Sequence, residues 1–344
     1  MTALSPQAYG QPMTADPAHL TWRPVAPGDA AACAVLFNAI EDEDHFGEYY
    51  SEADAAEQLG DPGLDLERGT LAGFDGEAMV GYSWAMHRPL AVGLHRVMLQ
   101  GGVHPAYRRR GIGARLLAAG IASAKDLHAI HHPDLQLTID VQTTETNPGA
   151  TAAYRAAGMS PIRWYSHMTH PLGEAIVDAP IPEGFVVEGY SAENDAEFHA
   201  VRNEAFLDHW GAVQMPAEQW RGTVVGWQSF RPDLSFLLRD TAANTADTAT
   251  GTAAGILVTH FWEADTEATG IRDAHYLLIG TRRAYRKRGV AGALIAHAQR
   301  AAEAAGFDQT SLQVDSASPT GAAGLYEKAG YTVARTDVRF TLEA

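Results

Sequence analysis

Two short segments of this 344-residue chain concentrate charge and glycine in the same order. Arg108-Arg109-Arg110-Gly111-Ile112-Gly113-Ala114 and Arg286-Lys287-Arg288-Gly289-Val290-Ala291 each follow a β-like run and open a helix-like one. At the first turn of a helix several backbone N–H groups lack partners and the helix dipole is positive, so such a turn attracts anions. Small residues at Gly111, Gly113, Gly289 and Ala291 let backbone approach a phosphate, and the basic side chains add charge-assisted hydrogen bonds. A solvated basic helix start or a nucleic-acid patch would use the same residue types, but two copies in matching context favour phosphate binding. The strand residues that lead in, Val103 in one copy and Ile279 and Thr281 in the other, are expected to line the same ligand.

A second pair follows in the same order. Asn147 to Met159 reads NPGATAAYRAAGM and Ser318 to Tyr331 reads SPTGAAGLYEKAGY, with Tyr154 and Tyr326 each four residues before a glycine. The chain is therefore a duplication, and the elements that carry the motifs repeat as well. Each half reads as an entry strand (LTWRPV; FVVEGYS), a helical region with acids, and a hairpin. A strand into the basic loop, a long helix, another strand, the tyrosine helix and a closing strand complete it, giving an α/β fold. The first hairpin is expected to turn at Asp75-Gly76. Prolines at 171, 180 and 182 place the boundary near residue 182, giving a loose tail over 1–20 and domains over 21–182 and 183–344. The first half carries extra residues around His128 to Asp134, expected in a surface loop, and residues 241–255 read as a low-complexity loop.

Composition bounds the function. Apolar residues make up 46% and charged residues 19%, enough to bury two cores. A net charge of −17 argues against non-specific nucleic-acid or anionic-membrane binding and for a cationic partner. The single cysteine, Cys33, permits no intrachain disulfide, and the first residues have no basic start or apolar core, so a cytoplasmic location is expected.

The paired motifs resemble the GNAT superfamily of N-acetyltransferases, whose pyrophosphate signature Q/R-x-x-G-x-G/A is matched at Arg108, Gly111 and Gly113 and at Arg286, Gly289 and Ala291. A tandem arrangement of this size is most similar to the mycothiol synthase-like group. The resemblance implies two domains, each a twisted mixed sheet flanked by helices, with the fourth and fifth strands splayed apart to admit acetyl-CoA. Arg109, Arg110, Ile112, Ala114, Lys287, Arg288 and Val290 would share in holding it, with Asn147 and Ser318 on the tyrosine segments. It also implies that Tyr154 and Tyr326 face the coenzyme sulfur. A phenol of pKa about 10 could there give its proton to a leaving thiolate whose thiol has pKa about 8.5. A half-buried core tyrosine is the alternative for either one alone.

A primary amine of pKa near 10.4 must lose a proton to attack. The group resembled uses a carboxylate on the fourth strand, and in the second half that position falls at or beside His275; in the first half valine stands there, with His95 displaced. The second half is thus expected to be catalytic. Asp208, His209 and Trp210, or the acidic run Glu41 to Asp44 with His45, would meet an ammonium through ion pairing and cation–π contact. A solvated acidic face is the other reading of that run. His128, His131 and His132 are expected at the surface, with no metal implied. The reaction expected is direct acetyl transfer to a small-molecule amine by a monomer or homodimer. A non-catalytic acyl-CoA sensor or regulatory protein is the competing reading.

Overall fold

The computed structural model describes residues 19–88, 90–208, 210, 213–242, 251–317 and 321–344. Most of the expected tail and of the low-complexity loop lie outside these residues, as do His209 and Ser318. Among the described residues no helix is long and apolar enough to cross a membrane.

The chain forms two compact units: residues up to Ile162 together with Arg339–Ala344, and Arg163–Val338. The first unit opens with β1 (Thr21–Arg23), α1 (Ala30–Asp44), α2 (Glu52–Leu59) and α3 (Leu66–Gly69). It continues with β2 (Thr70–Asp75), β3 (Ala78–His87), β4 (Leu94–Val103), α4 (Ile112–His131), β5 (Gln136–Thr144) and α5 (Pro148–Ala156). Strand β6 (Ser160–Pro171) begins at its edge but belongs mostly to the second unit. There follow β7 (Phe185–Gly189), α6 (Asp195–Ala205), α7 (Ala217–Trp220), β8 (Phe236–Asp240), β9 (Thr252–His260) and α8 (Glu263–Thr269). The second unit closes with β10 (Asp273–Thr281), α9 (Val290–Ala304), β11 (Gln309–Asp315), α10 (Ala322–Lys328) and β12 (Thr332–Glu343), whose end passes to the first unit.

In the first unit the strands run β1-β2-β3-β4-β5, antiparallel except for the parallel β4–β5 pair. The end of β12 adjoins β5, where Thr341 donates to Asp140 and Arg339 to Gln142. In the second unit the order is β7-β8-β9-β10-β11-β6, with β10–β11 the parallel pair. Each unit is a mixed sheet flanked by helices, as expected. The compact units and the duplicated sequence units do not coincide, however. We keep the cut near residue 182 as a proposal about the repeat, whereas the compact division falls at residues 162 and 338.

Packing of the long helices repeats between units. Helix α4 buries Ile112, Leu116, Gly120, Ala124 and Leu127, and α9 buries Val290, Leu294, Ala298 and Ala302, each set at helical spacing. Each helix start comes down on a strand glycine. A Cβ on Gly81 of β3 would stand 2.9 Å from Leu116 and 3.3 Å from Ile112, and one on Gly255 of β9 would stand 2.6 Å from Val290 and 3.3 Å from Leu294. Absent side chains thus seat both helix starts close to the sheet.

Two local expectations are corrected. Asp75 pairs with Ala78, so the two-residue turn is Gly76-Glu77, one position later than expected, with the positive φ at its first residue. Of the extra residues near His128, those up to His131 lengthen α4, and His132 to Asp134 form the turn that follows.

Candidate active site

Both basic segments adopt the same backbone. After a single 3₁₀ turn, Arg108 and Arg286 are extended, Arg109 and Lys287 take positive φ (64° and 62°), and Gly111 and Gly289 take φ of 82° before α4 and α9 begin. Positive φ in a non-glycine residue is costly and is kept where the surroundings require it. Its repetition in two loops marks a built feature. Alternating backbone hands of this kind turn successive N–H groups toward one point, making an anion nest. Neither N-cap glycine can supply a side-chain cap, so the first-turn donors stay available. Nothing lies within 4 Å of a Cβ placed on Gly111, while Gly289 has Pro182 at 3.5 Å. These loops fit a pyrophosphate.

The side chains around the loops divide into braces and free cations. Arg108 makes two hydrogen bonds to Asp44, at 2.7 and 2.9 Å, and its Nε donates to the Val103 carbonyl at 3.0 Å. Arg286 repeats this with Asp208 at 2.6 Å and the Thr281 carbonyl at 3.4 Å. Arg283 also pairs with Asp208, and Arg286 first, then Arg283, hold that carboxyl below its usual range. Arg110 donates to the Ala106 carbonyl, and Arg288 lies over Phe185 and Tyr285. Arg109 and Lys287 are exposed and, among the described residues, make no ion pair. The expected roles of several acids change accordingly. Asp208 is spent on two arginines rather than left for an ammonium group. Asp44 is the matching brace, a role the sequence reading missed. Glu41 is buried and accepts from the backbone of Phe46 and Gly47 at 2.7 and 2.6 Å, and Asp42 from Tyr49, so this acidic run also closes a turn. Trp210 is packed by the Arg163 guanidinium, 5.1 Å from its ring centre.

In both units the parallel pairing stops before its strands do. The β4–β5 pairs end at Met98 and Asp140, and the β10–β11 pairs end at His275 and Ser311. Beyond these points the strands part, and His275 stands at the fork of the second unit. Its strand also carries a bulge. The β9–β10 register slips between Tyr276 and Leu278, leaving Leu277 out of the ladder, whereas β3–β4 pairing is unbroken from Gly81–Val103 to His87–Val97. The extra residue of a bulge has backbone groups free for another partner. His275 Nδ1 lies 2.8 Å from the Ser311 hydroxyl, and Ser311 donates to Asp273 at 2.5 Å. Burial, then the nearby His167 and Arg335, lowers the imidazole to about 3, while burial raises Asp273 to about 6.

Tyr326, on α10, is buried in the core of the second unit, 6.2 Å from Tyr331 between ring centres. Tyr154, on α5, is partly exposed with Phe340 at 5.7 Å. Loss of solvation raises both phenols to about 12, with Asp44 adding to it at Tyr154, so both keep their proton at neutral pH. Asn147 caps α5, its Oδ1 accepting from the Ala150 N–H at 2.9 Å. Ile279 packs against the core of the second unit.

Of the histidines expected at the surface, His131 is exposed and His128 and His132 are partly buried, and they cluster with His95 and His87. His95 is fully buried on β4, its Nδ1 3.0 Å from His128 Nδ1, with His132 at 4.6 Å between ring centres. His131 stacks on His87 at 4.1 Å. Among the described residues no three histidines, cysteines or acids are arranged to hold a metal.

Comparison with known proteins agrees with this geometry. Residues 36–159 match the acetyltransferase (GNAT) family and residues 246–333 match a GNAT acetyltransferase domain. A mycothiol acetyltransferase of Clavibacter michiganensis is 27% identical over 249 residues, covering 69% of this chain and 70% of that protein. In structure, a GCN5-related N-acetyltransferase from Sphaerobacter thermophilus superposes with a TM-score of 0.71 at 23% identity, covering 94% of this chain and 96% of that one. A tandem GNAT protein from the clavulanic acid biosynthesis pathway superposes at 0.68 with 19% identity, covering 94% and 98%.

Proposed function

Because the chain belongs to the GNAT superfamily of acetyltransferases, with one such domain in each half, we propose that its second unit carries acetyl from acetyl-CoA to a primary amine of a small molecule. The observation that carries this reading is the bulge at Leu277, two residues past His275 at the strand fork and lacking a counterpart in the first unit. The loop from Arg286 to Ala291 would hold the pyrophosphate through its backbone donors, with Lys287 supplying charge. The bound thioester supplies an activated acetyl group. His275 accepts the proton of the amine as it attacks, and the Leu277 N–H stands ready to stabilise charge on the acetyl oxygen. Tyr326, still protonated, returns a proton to the departing sulfur. Relatives named as mycothiol acetyltransferases support a small-molecule acceptor.

In the first unit the last rung joins Met98 to Asp140 where the second unit joins His275 to Ser311. That absence of a base favours a binding role for the first loop, alongside Tyr154. Steady-state kinetics of three variants test the assignment. Tyr326→Phe should lower kcat roughly 10²-fold with coenzyme affinity kept within a few fold, and His275→Ala should do likewise, while Tyr154→Phe should change little. Loss of transfer in Tyr154→Phe with Tyr326→Phe fully active would move the active site to the first unit.

A further inference from the structure

The contacts of Ser311 fix which nitrogen of His275 holds the proton. A serine hydroxyl has one hydrogen to donate. Ser311 gives it to Asp273 Oδ2 at 2.5 Å, so toward His275, 2.8 Å away, it can only accept. The imidazole then carries its hydrogen on Nδ1, and Nε2 keeps its lone pair. Ser311 is fully buried, and the other carboxylate oxygen of Asp273 is buried with the Gln309 side chain close by. Asp273, opposite Gln309, and His275, opposite Ser311, stand at the two ends of the three-rung β10–β11 ladder.

We propose that Ser311 and Asp273 are positioning residues which lock His275 in the Nδ1–H tautomer and carry onward the proton it receives. This rests on the reading of His275 as the base. As the new C–N bond forms, the amine N–H breaks and an Nε2–H bond forms. The Nδ1–H proton passes to Ser311 Oγ, and the serine's original proton passes to Asp273 Oδ2. One proton enters at Nε2 and one arrives at the carboxylate, with no other reactant needed. The environment supports this direction of travel, since burial makes the imidazole a poor resting place and the carboxyl a better one. His167, His260, Arg335 and Trp262 also face His275, and Gln309, Tyr276 and Tyr331 face Asp273.

The test combines ¹⁵N-histidine NMR with kinetics. The His275 resonances, assigned by their loss in His275→Gln, should show a neutral Nδ1–H ring at pH 7. An Nε2–H ring in the unmodified protein would overturn the proposal whatever the activity. Turnover is then read with acetyl-CoA and whichever of glucosamine, L-cysteine, ethanolamine and spermidine is acetylated fastest. Asp273→Asn and Ser311→Ala should each lower kcat at least tenfold, with KM for both substrates within about threefold. The double variant should be no slower than the worse single one, because the groups act as a unit. The acid limb of the kcat profile, expected near pH 6 from Asp273, should vanish in Asp273→Asn. If both single variants keep kcat within threefold while His275→Gln is inactive, the relay falls and the base stands. Full activity in His275→Gln would sink both. Should Ser311→Ala not fold, Asp273→Asn and the NMR decide.

Discussion

Asp208 shows how an acid that looks made for an amine can be committed to the arginines of a basic loop instead. Its carboxylate joins Arg283 and Arg286 beneath the loop, as Asp44 joins Arg108 in the other unit. We expect Asp208→Asn to raise the dissociation constant for acetyl-CoA roughly two- to fivefold, the scale of a partly exposed ion pair, without changing KM for the amine. An effect on the amine alone would restore the acceptor role. His95 bears on stability. Burial first, then His132 and His128, lowers it to about 4, against about 6.5 in an unfolded chain. Between those values the unfolded chain binds the additional proton, so stability rises with pH there and is lost as pH falls from 6.5 toward 4. Melting temperatures over that range should drop for the wild type and drop less steeply for His95→Gln. The loops were legible in the sequence because Arg108 to Gly113 and Arg286 to Ala291 act through local backbone. The braces were not, since an ion pair such as Asp44–Arg108 joins residues far apart in the chain.

Helices and strands place the chemistry by how closely they approach. Gly255 leaves room for Val290, the first residue of the helix that the phosphate loop feeds. Gly255→Ala would put a Cβ 2.6 Å from Val290 and 3.0 Å from the Gly280 carbonyl, so the helix start must shift. We expect about 1–3 kcal/mol of lost stability by denaturant melting, together with weaker acetyl-CoA binding. Retention of both properties would mean that the strand yields instead. Strand identities could be read from hydrophobic runs, but neither the bulge at Leu277 nor the rung joining His275 to Ser311 could. Both depend on register, and register is set by partners that local pattern does not name.

Across the whole molecule the two loops are equals in backbone, which predicts two coenzyme sites. Calorimetry with acetyl-CoA should count two per chain, falling to one in Gly111→Glu and in Gly289→Glu, since each adds a side chain at positive φ and a negative charge at a phosphate site. Activity should suffer more from Gly289→Glu. One site in the wild type and still one in Gly111→Glu would mark the first loop as vestigial. The proposed cut near residue 182 rests on prolines that interrupt structure locally, and the compact division at residues 162 and 338 does not coincide with it. Assignment of the chain's last strand was not legible, because β12 ends beside a strand formed some two hundred residues earlier.

The passage of Arg339–Ala344 into the first unit imposes an order on synthesis. A ribosome adding about 5–20 residues per second takes roughly 10 to 35 s to travel from Ile162 to Val338. Throughout that interval β5 waits without the neighbour that Thr341 and Arg339 will anchor, its edge open to other chains. The unit begun first is therefore the one finished last, closing only once Arg339–Ala344 have been made and have reached β5.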